Sequence, residues 1–248
     1  AVLRLKLGEW QVFRDENIFG NIDAGVKIVS FTKNNKLEVL FGTAKGVFQL
    51  QDEKLIPFYP ELLSYPIEKL FVSYSTNNEP VIWISTINKG LIQFELGKIT
   101  SYNSSNGLPS DKTGPILETI DKAGNKKIWI GTNKGLACLS NGTWTTYNST
   151  NGLPGDFITG LCQTRNADGS NTLWVGTNKG LASWNAYKWV TYDVNKGLPD
   201  NRIVSLNAID APKGNRELWI GTLFGGLVRM SLTDWLTFDT KAGLPANP

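Results

Sequence analysis

Short runs rich in Ile, Val, Thr, Trp and Tyr, in which apolar and polar positions alternate, follow one another along the chain. Gly, Asn, Asp or Pro interrupts these runs roughly every 8–12 residues, as expected for strands joined by tight turns. Signals for helices are missing. In one stretch the pattern predicts strands at residues 157–164, 172–176, 180–184 and 189–192. The sequence therefore predicts an all-β protein in which successive strands form antiparallel hairpins.

A sequence motif repeats with a period of about 45 residues. The heptapeptide IGTNKGL at 130–136 recurs as VGTNKGL at 175–181, and its anchoring Gly or Ser stands at 42, 85, 131, 176 and 221. Two further markers keep the same phase: a bulky residue three positions before an aromatic one, and the tripeptide Gly-Leu-Pro at 107–109, 152–154, 197–199 and 243–245. A period of this length is typical of stacked or radial repeats.

A four-stranded antiparallel meander of this size, repeated side by side, is the unit of a β-propeller. We predict an all-β β-propeller of four-stranded antiparallel blades, with five complete repeats plus the outer two strands of a sixth. The single domain 1–248 would comprise a half blade at 1–15, repeats at 16–60, 61–104, 105–149, 150–194 and 195–240, and the start of a further repeat at 241–248. An incomplete blade exposes a sheet edge, so further chain or a partner protein is expected to pair with it.

Tryptophan recurs at two positions of the repeat, in the second strand and at the start of the fourth. This regularity favours packing between blades over stacking on sugars. Trp184 is the exception, because no other repeat has Trp at its position. The recurring tryptophans are Trp83, Trp129, Trp174 and Trp219 in the second strand, and Trp10, Trp144, Trp189 and Trp235 in the fourth.

Composition excludes several classes of function. The 248 residues are 41% hydrophobic, with 25 Lys and Arg against 22 Asp and Glu, a balance too even to indicate nucleic-acid binding or a membrane surface. No apolar run approaches the roughly 20 residues that span a bilayer. Cys138 and Cys162 are predicted to be buried free thiols and not a disulfide.

The chain contains no histidine. This removes the commonest general base, the commonest metal ligand and every Ser/His or Cys/His dyad. The sequence carries no Cys/His metal pattern, no phosphate-binding glycine loop and no nucleophile elbow. We therefore predict no cofactor, no metal site and no catalytic residues.

Two aligned sets of residues are expected at the channel mouth, where the turns between second and third strands and the connections between blades emerge. In the first set, lysines with neighbouring asparagines could hold an anionic or polyhydroxylated ligand. The alternative, which we favour, is a soluble Asn-Lys-Gly turn. The set comprises Lys45, Lys89, Lys134, Lys179, Asn88, Asn133 and Asn178.

The second set follows each Leu-Pro by two residues: Asp111, Asp156, Asn201 and Asn247. Side-chain oxygens arranged in this way could bind a cation or sugar hydroxyls. Asx residues also cap turns by accepting hydrogen bonds from nearby backbone, and we favour that explanation. At the other end, Lys122, Lys126, Lys127, Lys213 and Arg216 predict a solvated basic face to which a partner domain could dock.

The repeat resembles the two-component regulator propeller repeat, whose pattern is Leu-Trp-Ile-Gly-Thr, Gly-Leu, Trp-x-x-Tyr and Gly-Leu-Pro. Residues 129–154 and 174–199 match best, and the resemblance covers about residues 2–245. It weakens where Leu40 replaces the Trp and where Ser85 replaces the Gly. Such repeats are similar to those in sensor regions of bacterial hybrid histidine kinases and in secreted propellers, which implies a periplasmic or extracellular location.

These observations predict a non-catalytic ligand-binding or sensing module of an extracytoplasmic signalling protein. Its ligand would be a small molecule, an oligosaccharide or a partner domain at one end of the channel. A structural or protein-interaction propeller is the first alternative. A carboxylate-dependent glycosidase or lyase is the second, although the histidine associated with streptogramin lyases, which have a similar propeller, has no counterpart here.

Overall fold

The computed structural model describes residues 2–6, 9–13, 18, 25–121, 123–166, 168–185, 188–210, 216–231 and 234–245. Side chains are described for these residues except 2–6, 9–13, 210 and 216. Apart from short 3-10 turns such as Pro60–Leu62, Val194–Lys196 and Thr240–Ala242, the regular structure of these residues is β. None of their helices is long and apolar enough to cross a membrane.

The strands form five four-stranded sheets and one two-stranded sheet, each in sequence order. Their bounds are β1 (Val2–Lys6), β2 (Glu9–Phe13); β3 (Lys27–Lys33), β4 (Lys36–Thr43), β5 (Gly46–Gln51), β6 (Lys54–Pro57); β7 (Ile67–Tyr74), β8 (Pro80–Thr86), β9 (Leu91–Glu95), β10 (Lys98–Tyr102); β11 (Thr113–Ile120), β12 (Lys126–Thr132), β13 (Gly135–Ser140), β14 (Thr143–Tyr147); β15 (Ile158–Arg165), β16 (Asn171–Thr177), β17 (Gly180–Trp184), β18 (Trp189–Tyr192); and β19 (Ile203–Asp210), β20 (Arg216–Thr222), β21 (Leu227–Met230), β22 (Trp235–Phe238).

The fold class predicted from the sequence is confirmed: the chain is an all-β propeller of four-stranded antiparallel blades. Strands β15 to β18 match the four predicted strands at both ends to within a residue. At the amino terminus, β1 and β2 pair antiparallel from Val2 and Phe13 to Lys6 and Glu9.

The chain divides into two compact units. The first contains residues 1–106 and 111–113, and the second contains residues 107–110 and 114–248. In the first unit, a cluster that includes Leu40, Leu62 and Ile84 packs between the sheets β3–β6 and β7–β10. In the second unit, clusters around Trp129 and Trp174 pack between successive sheets.

Three of the four tryptophans of the second strands are buried: Trp83, Trp129 and Trp174 are only 4%, 3% and 6% exposed. Trp219 is partly buried. The indole N–H groups of the three buried residues donate to a hydroxyl ten residues earlier, on Ser73, Thr119 and Thr164 respectively, at 2.8–2.9 Å. These three repeats thereby satisfy the single polar atom of a large core residue, which would be costly to bury unpaired.

The tryptophans that open the fourth strands of β15–β18 and β19–β22 contact the preceding sheet. The ring of Tyr147 lies 5.3 Å from that of Trp189, and the ring of Tyr192 lies 5.6 Å from that of Trp235. These tilted and edge-on pairs are favourable beyond the area that they bury. Packing between blades is thus confirmed at both positions. The side chain of Trp10 lies outside the described residues.

The glycine of the Ile-Gly-Thr marker allows the next sheet to approach closely. A Cβ atom at Gly131 would lie 2.8 Å from Cγ2 of Ile158, the first residue of β15, and one at Gly176 would lie 2.7 Å from Cγ2 of Ile203, the first residue of β19. Ser85 stands at this position in the second repeat, and the next sheet begins with Thr113 where β15 and β19 begin with Ile. The hydroxyl of Thr113 accepts from the Thr86 backbone N–H at 3.0 Å.

Candidate functional site

Each four-stranded sheet has two ends. Because neighbouring strands are antiparallel, the turn between the second and third strands lies at the same end as the start of the first strand; we call this the turn end. The loops from first to second and from third to fourth strand lie at the opposite end, which we call the loop end. The described members of the two residue sets predicted for the channel mouth lie at the turn end.

The lysines of the first set are exposed, and their turns are fixed by a buried threonine. In the β12–β13 turn, Thr132 Oγ1 accepts a hydrogen bond from the Lys134 backbone N–H at 3.1 Å and donates to the Gly135 carbonyl at 2.8 Å. The other three turns repeat this pair of bonds at Lys45, Lys89 and Lys179. The positive φ required in the β12–β13 turn falls on Gly135, at 127°. The threonine and glycine of these turns are therefore explained by turn formation, whereas a ligand-binding role of the lysine side chains stays a prediction.

The asparagines beside these lysines differ from one another. Asn88 and Asn178 are exposed, whereas Asn133 is partly buried. The Oδ1 atom of Asn133 is shielded from solvent and has no hydrogen-bond partner among the described residues. The three side chains therefore do not share one environment.

In the second set, the side-chain oxygen closes a local loop. Oδ1 of Asp111 accepts from the Ser104 backbone N–H at 2.7 Å, and Oδ1 of Asp156 accepts from Ser149 at the same distance. Asn201 accepts from the Val194 N–H at 2.8 Å. These are the turn-capping bonds that the favoured explanation requires. Asn247 lies outside the described residues, and a ligand-binding role of this set stays a prediction.

Backbone hydrogen bonds bring members of the two sets side by side. The N–H of Gly90, next to Lys89, donates to the Asp111 carbonyl at 2.8 Å. The N–H of Gly135, next to Lys134, donates to the Asp156 carbonyl at the same distance. The Lys89 and Lys134 turns are therefore attached to the entry of the following sheet.

The fifth repeat departs from this arrangement. Its β20–β21 turn carries Phe224, and the guanidinium of Arg202 lies 4.1 Å from the centroid of that ring. Asp200 accepts from Arg202 through both carboxylate oxygens at 3.0 Å and from the Phe224 backbone N–H at 2.9 Å. The positive charge at this turn is therefore held within a local ion pair.

A cleft of about 640 Å³ opens at the loop end of the second unit, between the sheets β11–β14 and β15–β18. Volumes of roughly 300–1,000 Å³ are typical of small-molecule sites. None of the residues predicted for the channel mouth lines it. The lining residues are Thr119, Ile120, Asp121, Ala123, Lys127, Trp129, Gln163, Asn166, Asp168, Ser170, Asn171, Leu173, Trp184 and Asn185.

Trp184 lines this cleft at a position where no other repeat has Trp. It ends β17, opposite Trp189 of β18, and its ring lies 5.0 Å from that of Trp189 and 5.9 Å from that of Tyr147. Two tilted neighbours thus fix the indole, while part of its surface stays accessible. Trp129, on the adjacent sheet, lies 6.0 Å from Tyr147 and completes the aromatic group.

The polar wall of the cleft is formed by the loops β11–β12 and β15–β16. Asp121 accepts from the backbone N–H groups of Ala123 and Asn125 at 2.9 Å. The hydrogen bond from the Asn125 side chain is the largest of the causes that lower the pKa of this carboxyl. Across the cleft, Asn166 donates to the hydroxyls of Ser170 and Thr172 at 2.8 and 3.1 Å. The described residues of both loops are therefore held by local hydrogen bonds.

The basic residues predicted at this end do not share one environment. Lys127 lines the cleft, and Lys126 lies 3.6 Å from the carboxylate of Glu118. Lys122, Lys213 and the side chain of Arg216 lie outside the described residues. Lys127 is thus the member of this set that contributes to the cleft.

Cys138 and Cys162 are free and buried, as predicted. Burial raises the pKa of Cys138 to about 11 and that of Cys162 to about 12. A thiol with such a pKa stays protonated near neutral pH, and the thiolate is the nucleophilic form. Within the described part of the chain, no three Asp, Glu or Cys side chains gather as metal ligands.

The cleft was not predicted from the sequence, because it is formed where two repeats depart from their common pattern. Trp184 pairs with Leu173 and Trp189 just as Leu139 pairs with Ile128 and Trp144 one repeat earlier. The replacement of Leu by Trp at this position was the signal that could have located the site.

No family model matches the chain, and no curated protein matches it. Solved structures do match. Virginiamycin B lyase from Staphylococcus aureus has 16% identity and a TM-score of 0.57, over 92% of this chain and 75% of the lyase. BBS1N in complex with ARL6DN has 11% identity and a TM-score of 0.54, over 83% of this chain and 64% of that one.

The extracellular domain of the BT4673 hybrid two-component system from B. thetaiotaomicron has 14% identity and a TM-score of 0.42, over 88% of this chain and 41% of that one. The lyase and this extracellular domain are both propellers. At these identities the likeness is one of fold.

Proposed function

We propose that this chain is a non-catalytic ligand-binding module, acting as the sensor part of an extracytoplasmic signalling protein of the two-component regulator propeller type. The observation that carries the proposal is the cleft of about 640 Å³, which combines ordered polar loops with an accessible tryptophan. Concave sites with aromatic walls and a few fixed polar groups are the usual form of small-molecule sites. The repeat pattern supports the extracytoplasmic setting.

The available chemistry supports binding over catalysis. The chain has no histidine, both cysteines are buried with raised pKa values, and Asp111 and Asp156 cap turns. A glycosidase or lyase would need a carboxylate positioned to act on substrate. If the chain were such an enzyme, Asp111→Asn or Asp156→Asn would abolish a measurable turnover; we expect no turnover in the unmodified protein.

Thermal unfolding tests the binding function directly. The protein would be heated with a panel of oligosaccharides, amino acids, nucleotides and dicarboxylates, each at high concentration. A ligand at about 100 times its Kd stabilises the native state by about 2.7 kcal/mol, which raises Tm by about 5–10 °C for a chain of this size. No shift with any member of the panel would contradict the proposal.

A protein-interaction propeller is the second candidate. The two-stranded sheet β1–β2 supports it, because unpaired strand edges are templates for pairing with another chain. BBS1N, a propeller of similar fold, was solved with a protein partner. Size-exclusion chromatography with light scattering distinguishes the candidates: self-association or capture of the remainder of the parent protein would favour this one, and a monomer that binds small molecules would exclude it.

A further inference from the structure

We propose that the loop-end cleft between β11–β14 and β15–β18 is the binding site for a short neutral oligosaccharide, with Trp184 as its stacking surface. This proposal rests on the proposed binding function and gives that function a place and a ligand class. The site lies at the end of the sheets opposite the lysine turns and the Asp111 and Asp156 caps.

The aromatic part of the argument begins with the orientation of Trp184. Its ring is held by Tyr147 and Trp189 at centroid distances of 5.9 and 5.0 Å, so little side-chain freedom remains to be lost on binding. A partly exposed indole that lines a cleft offers an apolar area beside water. A pyranose ring, which is apolar on its C–H faces and polar at its rim, matches such a surface.

The polar part of the argument comes from the amide side chains. A carboxamide both donates and accepts hydrogen bonds, as does a sugar hydroxyl, so the two pair in either direction. Gln163 and Asn171 make no hydrogen bond through their side chains to any other described residue, and both line the cleft. Asn166 is oriented by its bonds to Ser170 and Thr172. Gln163 and Asn171 therefore have free hydrogen-bonding capacity toward the cleft, and Asn166 has a fixed orientation.

The charges of the lining favour a neutral ligand. Asp121 and Asp168 contribute two carboxylates and Lys127 contributes one ammonium group. Binding a phosphate or a nucleotide requires a surplus of positive donors, such as Arg forks. The lining instead has a slight surplus of acceptors, which suits hydroxyl groups.

The residues that make the site are not demanded by the blade. At the position of Trp184 the preceding repeat has Leu139, and at the position of Gln163 it has Glu118. The blade with Leu139 keeps the same strand pairing. The blade fold therefore does not require Trp at the position of Trp184, because Leu139 serves there in the preceding repeat. It does not require Gln at the position of Gln163, because Glu118 serves there.

The test uses isothermal titration of the whole chain with cellotetraose, xylotetraose, maltotetraose and chitotetraose. Trp184→Leu introduces the residue that an adjacent blade carries, so the fold is retained. Gln163→Val, which introduces the residue found at this position in β7, is the second variant. Lys134→Ala at the turn end is the matched control. We expect both cleft variants to weaken binding of the preferred sugar at least about tenfold, with Lys134→Ala unchanged.

The outcomes separate this inference from the proposed function. Sugar binding that survives Trp184→Leu and Gln163→Val, or that is lost in Lys134→Ala, overturns the cleft assignment but leaves the binding function. Thermal shifts with another ligand class and none with these sugars overturn the oligosaccharide assignment alone. The absence of any ligand in the wider panel overturns both.

Discussion

The indole N–H of a buried tryptophan needs an acceptor, and three repeats supply one from a hydroxyl ten residues upstream. The fifth repeat does not: Ile209 stands ten residues before Trp219, and Nε1 of Trp219 is buried without a partner among the described residues. Leaving a buried donor unpaired costs about 1–3 kcal/mol. A hydroxyl ten residues before Trp219 would supply the acceptor that the other three repeats have.

We expect Ile209→Thr to stabilise the protein by about 1 kcal/mol, because the new hydroxyl can accept from Trp219 and only part of the Ile209 side chain is buried. Thr164→Val is the matched opposite change, since it removes the acceptor of Trp174; it should destabilise by about 1–3 kcal/mol. Urea unfolding measures both free energies. An Ile209→Thr variant no more stable than the parent would contradict the hydroxyl-acceptor explanation.

The glycine of Gly-Leu-Pro lies against the tryptophan that opens the fourth strand of the next repeat. A Cβ atom at Gly152 would lie 2.3 Å from Cδ1 of Trp189, whereas one at Gly142 would meet nothing within 4 Å. Both residues have positive φ, at 135° and 74°. The pair therefore separates the cost of a strained backbone from the cost of a steric clash.

Gly142→Ala should cost about 1 kcal/mol through its backbone alone. Gly152→Ala should cost a further 1–3 kcal/mol or so, because Trp189 must move out of its place between the sheets. Differential scanning calorimetry of the two variants checks the difference. Equal losses would show that the close contact with Trp189 is not what requires glycine.

Among the elements, β13 and β15 each carry a buried thiol. An unfolded cysteine has a pKa of about 8.5, while Cys138 and Cys162 in the folded chain have pKa values of about 11 and about 12. The folded state keeps these protons to higher pH. Their contribution to stability is complete below about pH 8.5 and is lost as pH rises through the folded pKa values.

We therefore expect the free energy of unfolding to fall between pH 8 and pH 11, and to fall less in the double variant Cys138→Ala, Cys162→Ala. Urea unfolding of both proteins at each pH gives the two slopes, and the comparison removes the effect of lysines that titrate in the same range. Identical slopes would contradict the raised thiol pKa values.

The strands could be predicted because each β-hairpin depends on residues that stand close together in sequence. The four strands of the repeat containing Trp184 were recognisable from alternation and from Gly and Asn turns, without knowledge of distant contacts. The hydrogen bond from the Thr86 backbone N–H to the Thr113 hydroxyl could not be predicted, since it links residues 27 positions apart in sequence. The local sequence pattern predicts each strand. The contacts between one sheet and the next depend on residues that are distant in sequence.

For the whole molecule, the repeated positions and the unrepeated ones serve different purposes. Repeated lysines such as Lys134 lie in turns already fixed by Thr132, and repeated Asp156 closes a loop. The cleft depends instead on Trp184 and Gln163, which occur in one repeat only. The repeat pattern indicated the turn end because its aligned residues lie there, whereas Trp184 in β17 and Gln163 in β15 recur in no other repeat and give no periodic signal.

We expect Lys134→Ala and Lys179→Ala to change the free energy of unfolding by no more than about 0.5 kcal/mol each, because both side chains are exposed and the turn is held through the backbone. Chemical denaturation of the single variants is the check. A loss of several kcal/mol would show that the lysine side chains have a structural role that the turn geometry does not reveal.

The most direct test of the account is a ¹⁵N–¹H spectrum of the tryptophan indole groups, recorded during titration with the oligosaccharide panel. The nine tryptophans give separate signals that report on both ends of the blades. The account predicts that the signal of Trp184, and to a lesser extent that of Trp129, shifts with a bound sugar, while those of Trp83 and Trp235 stay in place. A bound sugar that leaves Trp184 unchanged and shifts the backbone signals of Lys134 and Asp156 would contradict it.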